Sequence, residues 1–465
     1  MGQLHDPRNN LHPVARGLLP IIVLSAFLFP PFGLVLFSRD YLYIAVLLPL
    51  VFFGIVTVEK LSRGDLVVTR TNILMPLFLL ILLTGYSLSY AENPMQGVRE
   101  LAKIVLSVGL FLCFVEVCRS PKHLKRLLKA IVWAGIGFSL HGILFVFAIG
   151  VLGLQASDQV GIIDEYASGF DFRIHTYDLL GLPGFASRQE DFVAVGPYQL
   201  PRCASLFIEP GYFSNFLELS IFSTLAYYYL LRNGRTWPVS IGLFLQCVAM
   251  LLTFSVGGWV AISLGALVWF IVSKKFSLVD LTWAVFRKVP LLISVFIAVG
   301  LIAPGIMLDV THQVVIEKVV SDKLLTSGAM RLISIQLGLD SAFRHPLLGV
   351  GIGQMSNLES PGFAGDVKYG ANNALLSTQI ELGFLGLILY GWILLSILST
   401  LVGVAKRAIR TMDTSKIRVA ASISGGVVAL IFHSMIVETK WVPFYWIGIS
   451  LLYIQNNLLR RRLNR

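Results

Sequence analysis

Twelve apolar stretches of roughly 20 residues recur along this sequence, and they constrain its fold more than any other feature. A helix needs about 20 mostly apolar residues to cross the hydrocarbon layer of a membrane. No stretch alternates between apolar and polar residues at the two-residue period of a membrane β-barrel, so the predicted spans are helical. They cover residues 17–37, 41–58, 73–90, 101–118, 128–153, 208–231, 237–254, 257–273, 289–309, 374–404, 419–437 and 441–458.

The composition agrees with a chain that is solvated mainly by lipid. Only 14% of the 465 residues are charged, whereas soluble domains carry about 25%, and the mean hydropathy is +0.77. The sequence shows no internal repeat and no low-complexity linker. We therefore predict an all-α polytopic membrane protein, with residues 1–465 forming a single integral membrane domain. The first span has no small-residue cleavage site behind it, which predicts a retained anchor.

The distribution of basic residues predicts the orientation of the chain. With both termini placed in the cytoplasm, the loops on that side hold 25 of the 37 lysines and arginines, and the longer loops on the other side hold 12. This is the positive-inside bias of membrane proteins. The net charge of +11 is then explained by topology and by contact with anionic lipid heads, and no nucleic-acid partner is predicted.

The soluble mass is predicted to lie on the outer, non-cytoplasmic side. The cytoplasmic loops are short and the sequence has no Walker-type phosphate loop, which excludes direct use of a nucleotide. Two outer loops are long, residues 154–207 and 310–373, and loops of this length are usually functional. The second contains two amphipathic stretches, Val314–Leu325 and Ala329–Phe343, that are predicted to lie as helices along the membrane surface.

The four cysteines predict neither a disulfide framework nor a metal centre. Cys113, Cys118 and Cys247 fall in predicted spans, and Cys203 is the one thiol in an outer loop. No pair of cysteines has the spacing of metal ligands. We therefore predict no metal and no cofactor.

The first polar cluster, Pro201–Phe213, lies where the sixth predicted span begins on the outer side. Glu209 before Pro210 suits a helix start, because proline is tolerated in the first turn and an acid there meets the positive end of the helix dipole. In that interpretation Arg202 reaches to a lipid phosphate. In the alternative, Glu209 binds or deprotonates a hydroxyl group while Arg202 grips a phosphate with two N–H groups. The residue types favour neither interpretation.

The second cluster joins Ser327–Arg331 to Phe343–Gly353. Its glycine run lacks the preceding strand of a dinucleotide-binding fingerprint and predicts a tight turn that returns the chain to the membrane. Arg331 is a candidate site residue because it lies on an otherwise apolar helical stretch. Arg344 and His345 are further candidates, although a histidine before a proline is more often a loop residue with a hydrogen-bond partner.

The third cluster, Tyr369–Gly383, includes the outer end of the tenth predicted span. Asn373, Ser377 and Glu381 are spaced four residues apart and therefore share one helix face. A polar stripe on an apolar span either faces a bundle interior or water-filled cavity or supplies hydrogen bonds between helices. Four more polar residues in or beside predicted spans are expected to form structural pairs: Glu218, His433, Glu438 and Lys440.

Together these clusters resemble the O-antigen ligase and polymerase family, whose members act on polyprenyl-diphosphate-linked glycans at the outer face of the bacterial inner membrane. The layout is similar, with large outer loops after the fifth and ninth of twelve spans. The family pattern of a glycine turn, then His-Asn, then Glu-x-Gly-x-x-Gly, is most similar at Phe343–Gly353 and Asn372–Gly386. Asn373, Glu381 and Gly383 fit that pattern.

The departures from the family pattern favour its polymerase branch. Asn372 stands where ligases have a histidine, their proposed general base. The Arg202 to Glu209-Pro210 cluster is instead similar to the pattern of repeat-unit polymerases. An arginine-to-glycine spacing described for both outer loops of polymerases occurs here in one loop alone, at Arg173–Gly184.

The resemblance implies a GT-C-type glycosyltransferase whose two large periplasmic loops carry amphipathic helices. It implies transfer of a growing glycan from polyprenyl diphosphate to a lipid-linked repeat unit at the periplasmic face, with membrane lipids and a chain-length regulator protein as partners. Arg202 and Arg331 are expected to stabilise the diphosphate leaving group, and Glu209 to accept the hydroxyl proton. The substrate-binding candidates are Arg173, Arg344, His345, Tyr369, Asn372 and Asn373.

Two alternatives stay open. A ligase would join a finished glycan to a lipid A core or a protein, and a histidine at position 372 would favour it. A transporter or flippase of lipid-linked glycan would carry polar residues through the depth of several spans, broken midplane helices and an internal repeat. The polar residues of this sequence concentrate at the outer side, which favours the enzyme.

Overall fold

The computed structural model of the protein describes residues 33–36, 40–43, 51, 54–55, 58, 71–150, 192–195, 198–205, 207, 210–231, 236–274, 343–357, 373–437 and 439–463. Helices account for most of these residues, as the sequence predicts. The helices with described bounds are α1 (Leu74–Ser87), α2 (Pro94–Val117), α3 (Pro121–Gly150), α4 (Pro210–Leu230), α5 (Trp237–Leu252), α6 (Val256–Ser273), α7 (Ala374–Arg410), α8 (Thr414–Ser434) and α9 (Pro443–Leu463). Two short antiparallel hairpins pair β1 (Gly33–Leu36) with β2 (Asp40–Tyr43) and β3 (Phe192–Val195) with β4 (Tyr198–Pro201).

The helices fall where the apolar stretches predict them. Each predicted span from 73–90 to 257–273, and from 374–404 to 441–458, overlaps one of these helices. By length and composition, four of the described helices can cross a membrane: α6, α7, α8 and the Pro121–Leu144 part of α3. The helices α1 and α5 are apolar but shorter. The predicted span 289–309 and the stretch Val314–Leu325 lie outside the described residues.

The strands β1 and β2 depart from the prediction, since they overlap the predicted helical spans 17–37 and 41–58. The local sequence explains the difference. Pro30 and Pro31 stand shortly before the hairpin, and proline interrupts helical hydrogen bonding. The paired strands read GLVL and DYLY, with the β-branched and aromatic residues that are typical of strands. Apolar content alone does not separate such a pair from a helix.

Four helices begin at a proline: α2, α3, α4 and α9. Proline suits the first turn because its missing N–H has no partner there and its fixed φ is helical. The helices α2 and α3 start earlier than their predicted spans, at Pro94 and Pro121, because charged residues near these starts, such as Arg99 and Glu100 in α2 and Lys122 in α3, are excluded by a hydropathy criterion. Asn93 caps α2 by accepting a hydrogen bond from Gln96 N–H (3.2 Å).

Helix α4 lies at the centre of the bundle, packed by α3, α5, α6, α8 and α9. Its residues are buried on every side from Phe213 to Thr224, including Asn215 and Glu218. A helix enclosed by other helices has no lipid-facing side that must be apolar. The buried polar residues therefore extend from the start of α4 to Thr224, which is deeper than the outer-side concentration predicted from the sequence.

Glycines let α6 and α8 close around α4. A Cβ atom added to Gly265 of α6 would lie 2.5 Å from the carbonyl oxygen of Gly425 on α8, and one added to Gly425 would lie 2.8 Å from the ring of Phe222. Small residues at such crossings allow membrane helices to approach closely. Phe222 consequently fills the space where α4, α6 and α8 meet.

The helix ends form two chemically different ends of the bundle. At one end, Arg461 donates to Arg119 O (3.2 Å) and the Ser415 hydroxyl donates to Tyr229 O (2.7 Å). Most of the described lysines and arginines lie at this basic end: Arg119, Lys122, Lys125, Arg126, Lys129, Lys406, Arg407, Arg410, Lys416, Arg418, Arg460, Arg461 and Arg462. The opposite ends of the same helices form what we call the site end, which carries few of the described basic residues.

Candidate functional site

The connections at the site end contact one another in a continuous series. Tyr90, between α1 and α2, donates its hydroxyl hydrogen to Leu348 O (2.7 Å). The segment around Leu348 bonds to α7, and Asn373 at the start of α7 bonds to the connection between α8 and α9. Val437 in that connection lies 3.8 Å from the Cβ position of Gly211 at the start of α4. The described parts of all three polar clusters therefore meet at this end.

Arg202 ties the chain before α4 to the turn between α5 and α6. Its Nε–H donates to Thr253 O (3.0 Å), and an Nη2–H donates to Phe254 O (3.4 Å). These carbonyls close α5, so the guanidinium lies at the negative end of that helix. Phe254 has φ +48°, a conformation that is unfavourable for its side chain, and the arginine helps to hold it. The contact of Arg202 with a phosphate stays a prediction.

Five predicted site residues lie outside the described part of the chain: Arg173, Glu209, Arg331, Tyr369 and Asn372. Pro210 is the first residue of α4, which confirms the helix start predicted for the Glu209-Pro210 pair. Arg344 and His345 are described, and both are exposed in the segment that leads into the glycine turn. Their side chains therefore do not belong to the core of the bundle, and their contact with a substrate stays a prediction.

The glycine run forms a compact turn, as predicted. Three glycines in it have positive φ: Gly349 (+71°), Gly351 (+101°) and Gly353 (+75°). Glycine adopts this left-handed conformation without the steric cost that a Cβ atom brings. The turn docks on α7 through backbone hydrogen bonds from Val350 N–H to Ile380 O (2.9 Å) and from Gly351 N–H to Glu381 O (3.0 Å).

Helix α7 breaks where the glycine turn meets it. Gly383 has φ +63° and ψ −161° between two helical segments. Phe384 N–H, which has left the helical pattern, donates to Pro346 O (2.7 Å). The Glu381 carboxylate accepts the N–H of Gly353 at 3.0 Å. The glycine turn and the break in α7 thus form one hydrogen-bonded unit, which we call the turn–helix junction.

The connection between α1 and α2 supports the glycine turn from another side. The side-chain amide of Gln354 accepts from Asn93 N–H (2.7 Å) and donates to Asn93 O (3.0 Å). Tyr90 of the same connection donates its hydroxyl hydrogen to Leu348 O. The sequence analysis did not identify this support, because no local pattern links two segments that are so far apart in the chain.

Asn373 begins α7 and joins it to the end of α8. Its Oδ1 accepts the N–H of Leu375 (2.9 Å), and its Nδ2 donates to Met435 O (2.8 Å). This is an N-cap with one additional tertiary bond. With Ser377 and Glu381 also engaged by other segments, the polar stripe serves hydrogen bonding between elements, the second of its two predicted roles. A contact between Asn373 and a sugar stays a prediction.

Lys440 is a buried cation at the site end to which the sequence assigned no role beyond pairing. Its side chain is 2% exposed. Its ammonium donates to the hydroxyl groups of Ser377 and Thr378 in the first turn of α7, at 2.9 Å for Thr378. The N-terminus of a helix is the positive end of its dipole, so a cation beside it is repelled. A negative charge near Lys440 is therefore favoured. The signal in the sequence was a lysine directly before Trp441 at the start of an apolar span.

A fully buried carboxylate–imidazole pair lies between α4 and α8. His433 Nδ1 is 2.5 Å from Glu218 Oε1, and Asn215 Nδ2 donates to Glu218 Oε2 (3.4 Å). Neither Glu218 nor His433 has exposed surface. The structural pairing predicted for these two residues is confirmed.

The segment after β4 contributes a buried thiol and a histidine contact. Burial raises the pKa of Cys203 to about 12, so its thiol is a poor nucleophile. Ser205 Oγ lies 3.2 Å from His141 Nδ1 on α3. All four cysteines are free. Within the described ranges, no three His, Cys, Asp or Glu side chains are grouped as metal ligands.

Comparison with known proteins identifies one region of the chain. Residues 241–391 match a family model described as O-antigen ligase. No match was found among curated proteins. The matched region runs from α5 through α6 and the glycine turn into α7, so it contains the turn–helix junction. The match and the apolar helices identify a membrane protein with a region typical of glycosyltransferase-like enzymes that act on lipid-linked glycans.

Proposed function

We propose that this chain, a member of the O-antigen ligase and polymerase family, is a glycosyltransferase that polymerises polyprenyl-diphosphate-linked repeat units. The growing glycan leaves its polyprenyl diphosphate, and the terminal sugar of the next lipid-linked repeat unit accepts it. The product is an O-antigen or a related surface polysaccharide. Membrane lipids and a chain-length regulator protein are the proposed partners.

The observation that carries this proposal is the turn–helix junction, which lies inside the family match and at the same end as Arg202 and Lys440. The junction anchors the outer loop 310–373 to the bundle at the glycine turn, and Asn373 anchors the end of that loop. The exposed residues Arg344 and His345, which lead into the glycine turn, can then meet a lipid-linked substrate at the site end.

The chemistry of the donor gives a role to the few cations at this end. As the bond from the anomeric carbon to the phosphate oxygen breaks, negative charge grows on the diphosphate, and preorganised cations stabilise that charge. Arg202, Arg344 and Lys440 are described cations at this end, and Arg331 is proposed to join them. Arginine can hold a phosphate through two parallel N–H groups. Glu209, one residue before α4, is the proposed acceptor of the hydroxyl proton.

The charge distribution supports an active site on the periplasmic face of the inner membrane. The basic end corresponds to the cytoplasmic side under the positive-inside rule, with both termini inside. The site end then faces outward. A donor that is preassembled on lipid needs no nucleotide-binding domain there, and we propose the GT-C arrangement of about twelve spans for the complete chain.

Two sequence features favour a polymerase over a ligase. Position 372 carries asparagine instead of the histidine found in ligases, and the Glu209-Pro210 pair at the start of α4 is similar to the polymerase pattern. Helix α4 lies at the centre of the bundle, and Gly211 in its first turn lies beside Val437 of the site end, which supports a role for the start of this helix.

A transporter of lipid-linked glycan is the second candidate, and one observation favours it. Buried polar residues continue along α4 from Asn215 to Thr224, where Thr224 donates to Gln246 Oε1 on α5 (3.1 Å). A transport path requires polar groups through the depth of the bundle. Phe222 of α4, which packs against glycines of α6 and α8, fills the space on that side of the helix and opposes such a path.

The test of the proposed function supplies the purified protein with lipid-linked repeat units and no nucleotide or metal, and resolves the products by size. A ladder of lengthening glycans is expected. A single joined product that appears after addition of lipid A core would establish a ligase instead. Absence of both products, together with movement of the lipid-linked substrate across vesicles, would favour the transporter. Glu209→Gln is expected to stop polymer synthesis, and full synthesis by this variant would show that Glu209 is not the proton acceptor.

A further inference from the structure

The basic end of the bundle carries far more positive than negative charge. Two carboxylates of the described residues contact basic side chains there: Glu116 pairs with Arg119, and Asp413 pairs with Lys416 at 2.9 Å. The positive-inside rule accounts for an excess of basic residues on one side of the membrane. It does not account for their arrangement within that side. One corner of the basic end, between the last turns of α7 and α9, brings several of them together.

The guanidinium of Arg407 lies between α7 and α9 at this corner. Its Nη2 donates to Asn456 Oδ1 on α9. Gly403, one turn earlier in α7, leaves room for the guanidinium, because a Cβ atom there would collide with Nη2. The Nε atom is buried and has no hydrogen-bond partner among the described residues. The charge of Arg407 is therefore held in the seam between two helices, with an amide oxygen as its acceptor.

Two further arginines adjoin Arg407. Arg410 follows it by three residues in α7, and Arg460 follows Asn456 by four residues in α9, so each lies one turn away on the same face of its helix. Both are exposed, and both repel the charge of Arg407. Helix α9 has no acidic residue, and the one acid of α7, Glu381, lies at the site end. An anion bound at this corner would offset the repulsion.

The face of α7 that leads to this corner is apolar and exposed. Leu395, Leu398 and Val402 are exposed at helical spacing, and Lys406 and Arg410 continue the same stripe. The helix rises about 16 Å from Leu395 to Lys406 at 1.5 Å per residue. That rise is about half of the roughly 30 Å thickness of the hydrocarbon layer. The apolar part of the stripe therefore matches one leaflet, and its charged part begins at the depth of the lipid head groups.

We infer that an anionic phospholipid binds at the corner between α7 and α9. Arg407, Arg410 and Arg460 hold its phosphate, and its acyl chains lie along the apolar stripe of α7. Guanidinium groups suit this role because they can donate two parallel N–H groups to phosphate oxygens. In the proposed orientation the lipid belongs to the cytoplasmic leaflet. The inference does not depend on the proposed glycosyltransferase activity.

The apolar stripe favours a lipid over a soluble anion. A soluble phosphate would contact the arginines alone, whereas a phospholipid contacts the cations and the exposed apolar residues of the same helix face together. A phosphate held from both helices would also fasten α7 to α9 at the end opposite the break at Gly383. The described polar contact between the helices at this corner is the bond from Arg407 to Asn456. The bound lipid should therefore stabilise the bundle.

The test measures binding of fluorescent phosphatidylglycerol to the purified full-length protein in a neutral detergent. The double variant Arg410→Gln with Arg460→Gln removes two exposed charges of the corner. We expect binding to weaken about tenfold for each arginine that is removed, which corresponds to the loss of one hydrogen bond to a charged group. Zwitterionic phosphatidylcholine should bind the wild type more weakly than phosphatidylglycerol does. Unchanged binding of phosphatidylglycerol by the double variant would overturn the inference.

The matched control is the double variant Lys125→Gln with Arg126→Gln at the start of α3. Both side chains are exposed at the basic end, and the control removes the same amount of charge. It should bind phosphatidylglycerol as the wild type does. Equal losses in the two double variants would show general attraction between the basic end and anionic lipid, and no site at this corner.

Competition distinguishes the lipid from other anions. Glycerol phosphate, which has no acyl chains, should not displace phosphatidylglycerol at equal concentration. Displacement by glycerol phosphate would show that the corner binds a soluble anion. Displacement by a polyglutamate peptide would indicate an acidic protein partner instead. Either result would contradict the lipid site.

Thermal unfolding gives a second readout. Phosphatidylglycerol should raise the Tm of the wild type and of the Lys125 and Arg126 control, because a ligand that binds the folded state stabilises it. The Arg410 and Arg460 variant should keep the wild-type Tm in the absence of lipid, since both side chains are exposed. It should lose the rise that the lipid produces. An equal rise in this variant and in the wild type would refute the site.

Discussion

The backbone N–H of Gly353 donates to the side-chain carboxylate of Glu381 at 3.0 Å, across the turn–helix junction. Glu381 belongs to the Glu-x-Gly-x-x-Gly pattern, and Gly353 closes the glycine turn that precedes it by 28 residues. The contact therefore joins the two parts of the pattern in this chain. In this structure the glutamate holds the turn against the break in α7.

The turn–helix junction should depend on glycine at position 383. Gly383→Ala adds a Cβ atom at φ +63°, where it would lie 2.3 Å from the backbone of Leu347. We expect the variant to lose about 1–3 kcal/mol of stability, measured as a lower Tm in detergent. The matched control is Gly391→Ala in the same helix, because a Cβ atom there meets nothing within 4 Å. That change should be neutral or slightly stabilising, and equal losses in the two variants would contradict the assignment.

The start of α7 should depend on both ends of the Asn373 amide. Asn373→Ala removes the N-cap and the bond to Met435, and we expect a loss of about 1–2 kcal/mol. Asn373→Asp keeps the capping oxygen but loses the Nδ2 donor, so its loss should be smaller. Hydrogen exchange at the Leu375 amide, which donates to this cap at 2.9 Å, should accelerate in the alanine variant. Identical stability and exchange in the two variants would show that the cap contributes nothing.

Arg202 and Arg331 should each contribute to binding of the lipid diphosphate. Arg202→Ala and Arg331→Ala are expected to weaken binding of polyprenyl diphosphate about tenfold each, which corresponds to the loss of one hydrogen bond to a charged group. Arg418→Ala is the control, because Arg418 lies over the ring of Tyr229 at the basic end. Normal binding by both site-end variants would show that neither arginine holds the diphosphate.

The two arginine variants should differ in stability. Arg202 also bonds the carbonyls of Thr253 and Phe254, so Arg202→Ala should lower the Tm as well as the affinity. Comparison of Arg202→Ala with Arg202→Lys, which retains the charge, separates the two effects. A lysine that restores affinity without restoring Tm would show that charge, and not the bonds to the turn, serves the ligand.

Asp413 should make stability depend on acidic pH. It caps α8, and the side-chain hydrogen bond from Lys416 is the main cause that lowers the pKa of its carboxyl below 3.8. The pKa of this carboxyl is lower in the folded protein than in the unfolded chain. The stabilisation by Asp413 is therefore present above about pH 3.8 and is lost as the pH falls through the folded pKa. We expect Asp413→Ala to reduce Tm at neutral pH by the equivalent of about 1 kcal/mol, with the difference from the wild type vanishing at low pH. A difference that persists unchanged in acid would contradict this account.

The positions of the helices could be predicted because apolar length is a local property of the sequence. The stretch 257–273, for example, lies within α6 almost from end to end. The hairpin at residues 33–43 could not be predicted from the same property, because its apolar residues follow two prolines and pair with each other instead of forming a helix. The early starts of α2 and α3 could not be predicted for a related reason, since charged residues lie near both starts.

The candidate site was predicted in part. Arg202, Arg344, His345 and Asn373 were identified from their types and positions, and the structure places all four at the site end. The roles of Arg202 and Asn373 in holding turns and helix ends could not be predicted, because their partners lie far away in the chain. Lys440 was identified as a polar residue of the span, but its role could not be predicted because its partners also lie far away in the chain.

The sequence by itself determined where the helices lie and at which of their ends the basic residues collect, because hydropathy and charge act over short windows of the chain. The tertiary structure alone decided which residues meet. Gly353 and Glu381 are 28 residues apart, Lys440 and Thr378 are 62 apart, and Glu218 and His433 are 215 apart. Such contacts depend on how the helices pack around α4, and packing follows from the shapes of all the helices together rather than from any one segment.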